Sequence, residues 1–266
     1  MKIGLDAGHC RWGADIGARG CGMKEEEMTR TIANQVSRKL QALGHTVIIC
    51  NIDKASTLEE SLSHRYNTAN RNNVDFYVSI HINGGGGKGS EIFTMYAREL
   101  PQAKRTLDNL VKLGFTRRGI KNAMNYNGRG GRLSVIRNTH APAMLVEVCF
   151  IDTQSDVNLY KQLGSDKIAD AIVKGIVGET ISTPKVSKPQ PKTNNNSKFI
   201  NLDGKTGICT GEGVRIRSSK STKDTSNVIG SLNKGDNVNL YRKEGDWIHI
   251  YYPKSGGYVY YKYIKF

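Results

Sequence analysis

The sequence predicts an α/β protein, a mixed, largely parallel sheet flanked by helices, followed by a small all-β barrel. Three observations predict it. Residues 1–181 alternate β-branched apolar runs with segments of helical periodicity, the pattern of strands linked by crossover helices. Residues 182–198 hold three of the six prolines, several Lys and an Asn run, and almost nothing apolar; this composition makes a semi-extended linker. Residues 199–266 carry short alternating runs separated by Gly-containing turns, the spacing of a small β barrel.

Taken in order, Lys2-Ile3-Gly4-Leu5-Asp6 reads as a buried strand. Residues 25–43 read as a helix because Met28, Ile32, Val36, Leu40 and Leu43 fall on one stripe, and Gly44 stops it. Thr46 to Cys50 is a β-branched strand, and residues 58–73 form a more polar helix. Val74 to Ile80 and Glu91 to Tyr96 are strands, with a helix over 99–114. Ala143 to Val148 is a strand, and residues 165–177 make the closing helix. In the last third, Val214–Arg217, Asn227–Leu232, Asn237–Tyr241, Trp247–Tyr251 and Gly257–Val259 are the strands of the barrel.

A hydrophobic share of 38% across 266 residues describes a folded chain rather than a disordered one, with no apolar run long enough to span a bilayer. The first residues enter a strand at once and show no secretory signal, so the expected location is a cytoplasm. The net charge of +15 is uneven. Residues 1–181 hold 24 Lys and Arg against 18 Asp and Glu, residues 182–266 hold 15 against 6. The excess in the last third calls for an acidic partner there, nucleic acid or an anionic wall polymer. Cys10, Cys21, Cys50, Cys149 and Cys209 are odd in number and irregular in spacing, so they read as reduced thiols.

Strand ends of an α/β sheet are where ligands gather, and four residues stand out near them or at a helix start: His9, Glu25, His81 and Glu147. A His at a strand end is more often a surface residue, and a Glu opening a helix is ordinarily a dipole partner. His81, read as ending an apolar strand, could equally be a core ring bonded to backbone. Glu147, inside Met144-Leu145-Val146-Glu147-Val148-Cys149-Phe150, is stronger alone, because carboxylates are rarely buried unless paired or coordinating. Two imidazoles and a carboxylate can hold a catalytic zinc with one open position, and a second carboxylate then serves as base. The Gly84–Gly87 run lacks phosphate-loop spacing and reads as a flexible loop, and residues 127–132 as a rim.

The motifs Asp6-Ala7-Gly8-His9, Gly22-Met23-Lys24-Glu25, Ser79-Ile80-His81-Ile82-Asn83 and Leu145-Val146-Glu147-Val148-Cys149-Phe150, with Leu133–Thr139 and Pro142, resemble the zinc-dependent N-acetylmuramoyl-L-alanine amidases of bacterial peptidoglycan. The resemblance covers about residues 1–178. It implies Zn2+ held by His9, Glu25 and His81, and Glu147 as the catalytic carboxylate that takes a proton from water and returns it to the L-alanine nitrogen. Two departures stand out. Cys10 occupies a position commonly Gly, and Glu25-Glu26-Glu27 offers neighbouring carboxylates, with Glu26 the alternative to Glu25.

Residues 205–266 resemble bacterial SH3-like (SH3b) wall-binding domains, through Gly213–Ser218, Val228–Asp236, Gly245–Ile250 and Gly256–Val259. That resemblance implies anchoring on peptidoglycan, with Trp247, Tyr258 and Tyr260 as candidate contacts, Trp247 having a structural alternative. Together the parts resemble a phage endolysin; a bacterial autolysin or spore-wall amidase is the alternative setting. An inactive wall-binding protein and a basic nucleic-acid binder are the other readings. The first conflicts with the intact ligand set and the second lacks any nucleic-acid motif, so the expected partners are peptidoglycan and anionic wall polymers, with neither nucleic acid nor membrane.

Overall fold

Strand–helix alternation does produce a layered α/β unit in the computed structural model, which describes residues 1–126, 128, 130–178, 199–202, 205–252 and 256–266. The linker expected at 182–198 lies outside the described residues. The chain divides into two units, Met1–Val186 and Ser187–Phe266.

The first unit runs β1 (Lys2–Ala7), β2 (Trp12–Gly13), β3 (Arg19–Gly20), β4 (Met23–Lys24), α1 (Glu25–Ala42), β5 (Thr46–Ile49), β6 (Lys54–Ala55), α2 (Leu58–Arg71), β7 (Phe76–Asn83), β8 (Ser90–Thr94), α3 (Pro101–Lys112), β9 (Arg117–Asn122), α4 (Ser134–Arg137), β10 (Ala143–Phe150) and α5 (Gln154–Val177). Its six-stranded sheet has the order β5-β1-β7-β10-β8-β9. The first four strands are mutually parallel, β8 is antiparallel to β10, and β9 is parallel to β8. The sheet is therefore mixed and largely parallel.

Alternation of side chains along each strand assigns the two faces. Ile3, Leu5, Val78, Ile80, Met144 and Val146 meet α1, α3 and α5 in one core, which includes the expected stripe of Met28, Ile32, Val36 and Leu40. Tyr77, Phe93 and Leu145 meet Ala69 of α2 and Val135 and Ile136 of α4 on the other face. Leu43 ends outside, 38% exposed, because it follows the last helical turn.

Helices α3 and α5 cross without space to spare. A Cβ on Gly175 would lie 2.6 Å from Thr106 Cα. Gly175→Ala is therefore expected to force the helices apart and destabilise the unit by about 1–3 kcal/mol, read as a lower chemical-denaturation midpoint. An unchanged midpoint would show that the crossing relaxes freely.

Three local features differ from expectation. Helix α5 starts at Gln154 rather than 165 and breaks at Gly164, where φ is 73°. Strand β9, Arg-Arg-Gly-Ile-Lys-Asn, is an edge strand whose residues are partly exposed or exposed, so it lacks an apolar signature. The Gly84–Gly87 run is not a loose loop. Gly85 and Gly86 N–H donate to Asp152 Oδ2 at 2.7 and 2.9 Å, and Thr153 Oγ1 donates to Gly87 O. The start of α5 thus pins the segment through partners more than sixty residues away.

The second unit is all antiparallel: β11 (Phe199–Asn201), β12 (Thr206–Cys209), β13 (Val214–Arg217), β14 (Val228–Leu232), β15 (Asn237–Glu244), β16 (Trp247–Ile250), β17 (Gly257–Tyr260) and β18 (Ile264–Lys265). Its core is Val214, Ile216, Leu232, Leu240, Ile248, Ile250 and Val259 with their neighbours. Among the described residues, no helix is long and apolar enough to cross a membrane.

Candidate metal centre

Three parallel strands deliver the site. Ala7 pairs with Ile80 across β1 and β7, and His81 pairs with Glu147 across β7 and β10. Glu147 also pairs with Glu91 on β8. His81, Glu147 and Glu91 therefore form one row across the sheet, and His9 follows the end of β1. His81 is not the last residue of its strand, because β7 continues to Asn83.

His9 sits in the left-handed region at φ 66°, a conformation that costs a non-glycine residue about 1–2 kcal/mol. Arg30 of α1 holds it there. Its guanidinium donates to His9 O at 2.9 Å, Ile52 O at 3.0 Å and Gly8 O at 3.3 Å, and pairs with Asp53 at 2.8 Å. The His9 ring is aimed by Asp15, whose Oδ1 lies 2.7 Å from Nδ1. That bond leaves Nε2 facing Glu25 Oε1 at 3.3 Å.

Glu25 opens α1, and backbone fixes both of its oxygens. Oε2 accepts from Ala18 N at 2.8 Å and Oε1 from Ile82 N at 3.0 Å. His81 Nδ1 lies 3.1 Å from the same Oε1. Glu26 points elsewhere, into a two-pronged pair with Arg19 at 2.6 Å for each contact, so geometry separates Glu25 from its neighbour. The His81 ring occupies the space above Gly8, where a Cβ would come within 2.6 Å of both ring nitrogens. Gly8→Ala is thus expected to displace His81 and weaken metal binding at least about tenfold, measured by competition with a zinc chelator; unchanged affinity would show that the ring can move aside.

Electrostatics follow from crowding. Burial pulls the His9 ring down, but its bonds to Asp15 and Glu25 outweigh this and raise it to about 9. Burial pushes Asp15 up, yet His9, Arg65 and Ser61 bring it to about 2. Burial alone would raise Glu25, but the two imidazoles hold it well below the carboxylate range. Burial keeps His81 low. Glu147 is raised well above the ordinary range by burial and then by the charges of Glu25 and Glu91.

The donor set fits a divalent cation. One ligand atom from each of His9, Glu25 and His81 lies within 4.8 Å of the others. A single carboxylate oxygen faces two imidazole nitrogens, an arrangement that needs either ring protons or a cation between them. His81 Nε2 and Glu147 Oε2 are buried without a hydrogen-bond partner, which is costly unless something else meets them. The structure thus brings together all three expected ligands and puts Glu147 beside His81.

Four further residues belong to the site and were not singled out from the sequence: Asp15, Arg30, Arg65 and Glu91. Glu91 accepts from Arg118 at 2.8 Å and Asn83 at 2.7 Å. The clue to Arg65 was the spacing of Ser61, Arg65 and Ala69, the buried stripe of α2: the helical period is present but largely polar. Cys10 is buried, with Sγ 3.4 Å from Ser61 Oγ.

In the second unit, Trp247 and Tyr260 pack edge to face at 5.5 Å. Both line a cavity of about 470 Å³ with Arg215, Arg217, Lys262 and Tyr263. Tyr258 is outside that lining and stacks on His249 at 4.6 Å.

Both units are similar to known proteins. A family described as N-acetylmuramoyl-L-alanine amidase matches residues 3–178, and one described as bacterial SH3 domain matches residues 212–265. A sporulation-specific N-acetylmuramoyl-L-alanine amidase of Bacillus subtilis is 34% identical over 165 residues, 60% of each chain. The endolysin of Bacillus phage SPP1 is 32% identical over 60% of this chain and 58% of its own. The chain thus spans about three fifths of the length of these two relatives. The solved catalytic domain of an endolysin targeting Clostridia Difficile shares 30% identity with a TM-score of 0.58, over 66% of this chain and 96% of that one.

Proposed function

This chain belongs to the N-acetylmuramoyl-L-alanine amidase family, and from that premise we propose that it hydrolyses the amide between N-acetylmuramic acid and L-alanine in peptidoglycan. The observation that carries the reading is the convergence of His9, Glu25 and His81 ligand atoms within 4.8 Å, with Glu147 next to His81 in the sheet. We assign Zn2+ to those three ligands. Bound there, zinc supplies a Lewis acid that polarises the scissile carbonyl and lowers the pKa of water toward neutrality.

The protein's own groups do the rest. Glu25 keeps its charge toward the two imidazoles, and Asp15 keeps the His9 ring turned with Nε2 toward Glu25. Glu147 offers an unpaired buried oxygen as proton carrier, taking a proton from water and handing it to the departing nitrogen. Glu91, tied to Arg118 and Asn83, adds the negative charge that raises the proton affinity of Glu147. Digestion of purified walls tests the bond. Free L-alanine amines without new reducing sugars are expected; new reducing ends without amines would overturn the assignment.

The second unit serves as the wall anchor in this reading, through Trp247 and Tyr260 at the cationic cavity and Tyr258 beside it; residues 1–181, 182–198 and 199–266 are then enzyme, linker and anchor. Trp247→Ala is expected to weaken sedimentation with walls about tenfold or more, the scale of losing one buried aromatic contact, while activity on a soluble muropeptide stays unchanged. Equal wall binding by the variant would remove Trp247 from the contact. Host lysis by a phage is the proposed setting, supported by the endolysin relatives. Addition of the protein to Gram-positive cells should then lyse them from outside, and intact cells would count against that setting.

A further inference from the structure

Behind His9 lies a buried ionic chain that the reaction does not touch. Asp15 is 5% exposed, Arg65 1% and Asp6 0%. Asp15 Oδ1 meets His9 Nδ1 at 2.7 Å, while Oδ2 accepts from Ser61 Oγ at 2.6 Å and from Arg65 Nη2 at 2.9 Å. Arg65 Nε faces Asp6 Oδ1 across 3.7 Å. Asp6 Oδ2 in turn accepts from Tyr77 Oη at 2.9 Å and Ser79 Oγ at 2.7 Å. Burying a guanidinium between two carboxylates carries a large desolvation cost.

We propose that Arg65 is a positioning residue that acts through Asp15 to set the tautomer of His9. Arg can only donate, so it commits Asp15 Oδ2 to itself and leaves Oδ1 as an obligate acceptor. That acceptor draws the ring proton to Nδ1 and frees Nε2 for a cation. The inference rests on the reading of His9 as a metal ligand.

An isostere of Asp15 exposes this dependence. In Asp15→Asn, Arg65 still demands an oxygen, so the amide must turn its NH2 toward His9 Nδ1. The ring then carries its proton on Nε2, where it bonds Glu25 in place of a cation. The fold keeps its hydrogen bonds, but zinc affinity falls by about 10–100-fold. Adding Arg65→Gln removes the obligate donor and leaves the net charge of the cluster as in the wild type. The amide can then turn back, so the double variant Asp15→Asn/Arg65→Gln binds zinc more tightly than Asp15→Asn alone. A merely structural role predicts the opposite, two losses that add.

Zinc affinity of the full chain, measured by chelator competition with circular dichroism as a folding control, decides this. Wild-type affinity in Asp15→Asn, or a double variant no better than the single one, would overturn the inference. Should Asp15→Asn fail to fold, long-range proton–nitrogen NMR of the zinc-loaded wild type decides instead, with the His9 proton expected on Nδ1 and the inference lost if it lies on Nε2. A wild type that takes up no zinc would defeat the metal-site reading itself, a distinct outcome.

Discussion

Glu147→Gln is expected to retain its zinc and lose hydrolysis by about 10²–10⁴-fold, the range of a removed general acid–base group. Glu147 lies in register between His81 and Glu91, and its Oε2 is buried with no hydrogen-bond partner. Burial, then the charges of Glu25 and Glu91, raise its affinity for a proton. Gln keeps the size and shape of the Glu147 side chain, so the substitution leaves folding and the ligand set alone. What it removes is the oxygen that takes the proton from water and passes it on. Metal content, a thermal melt and dye release from labelled walls check the three parts separately. Turnover within tenfold of wild type would take Glu147 out of the chemistry.

Withdrawal of the metal is the second large effect. With free zinc at about a thousand times its Kd, binding stabilises the fold by about 4 kcal/mol, roughly 10 °C in melting midpoint for a unit of this size. A chelator should therefore abolish hydrolysis and lower the midpoint together, and added zinc should restore both. Glu25→Gln should reproduce the chelated state without chelator. Its carboxylate is the one negative charge among the three ligands, held in place by the N–H groups of Ala18 and Ile82. A melt that ignores the chelator, in a protein that stays active, would contradict the metal centre.

Glu147 and Glu25 stand out from the sequence in different ways. Glu147 was legible because a carboxylate inside Met-Leu-Val-Glu-Val-Cys-Phe has few ordinary explanations, and β10 does bury all the other residues of that run around a half-buried Glu147 with one buried oxygen. Glu25 was legible only by motif, since three consecutive Glu open the helix; the bonds of Glu26 to Arg19 separate them. Helix α1 was legible by its stripe, whereas β9 was not, because an edge strand of Arg-Arg-Gly-Ile-Lys-Asn alternates too weakly to show. The Gly84–Gly87 run misled through composition. Glycine there suggests looseness, but the backbone N–H groups it exposes are held by Asp152.

What the sequence determined by itself is the type and approximate place of each part: an alternating α/β unit, an all-β unit, and two imidazoles and two carboxylates in strand-end or helix-start contexts. Periodicity and residue chemistry are local, so they survive without coordinates. The tertiary structure alone decided which groups meet. Asp15 reaches Ser61 and Arg65 across 46 and 50 residues, and Arg30 reaches His9 across 21. Helical spacing shows that Ser61, Arg65 and Ala69 share a face, but only the packing of α2 against the sheet selects the two buried acids, Asp6 and Asp15, that the guanidinium meets.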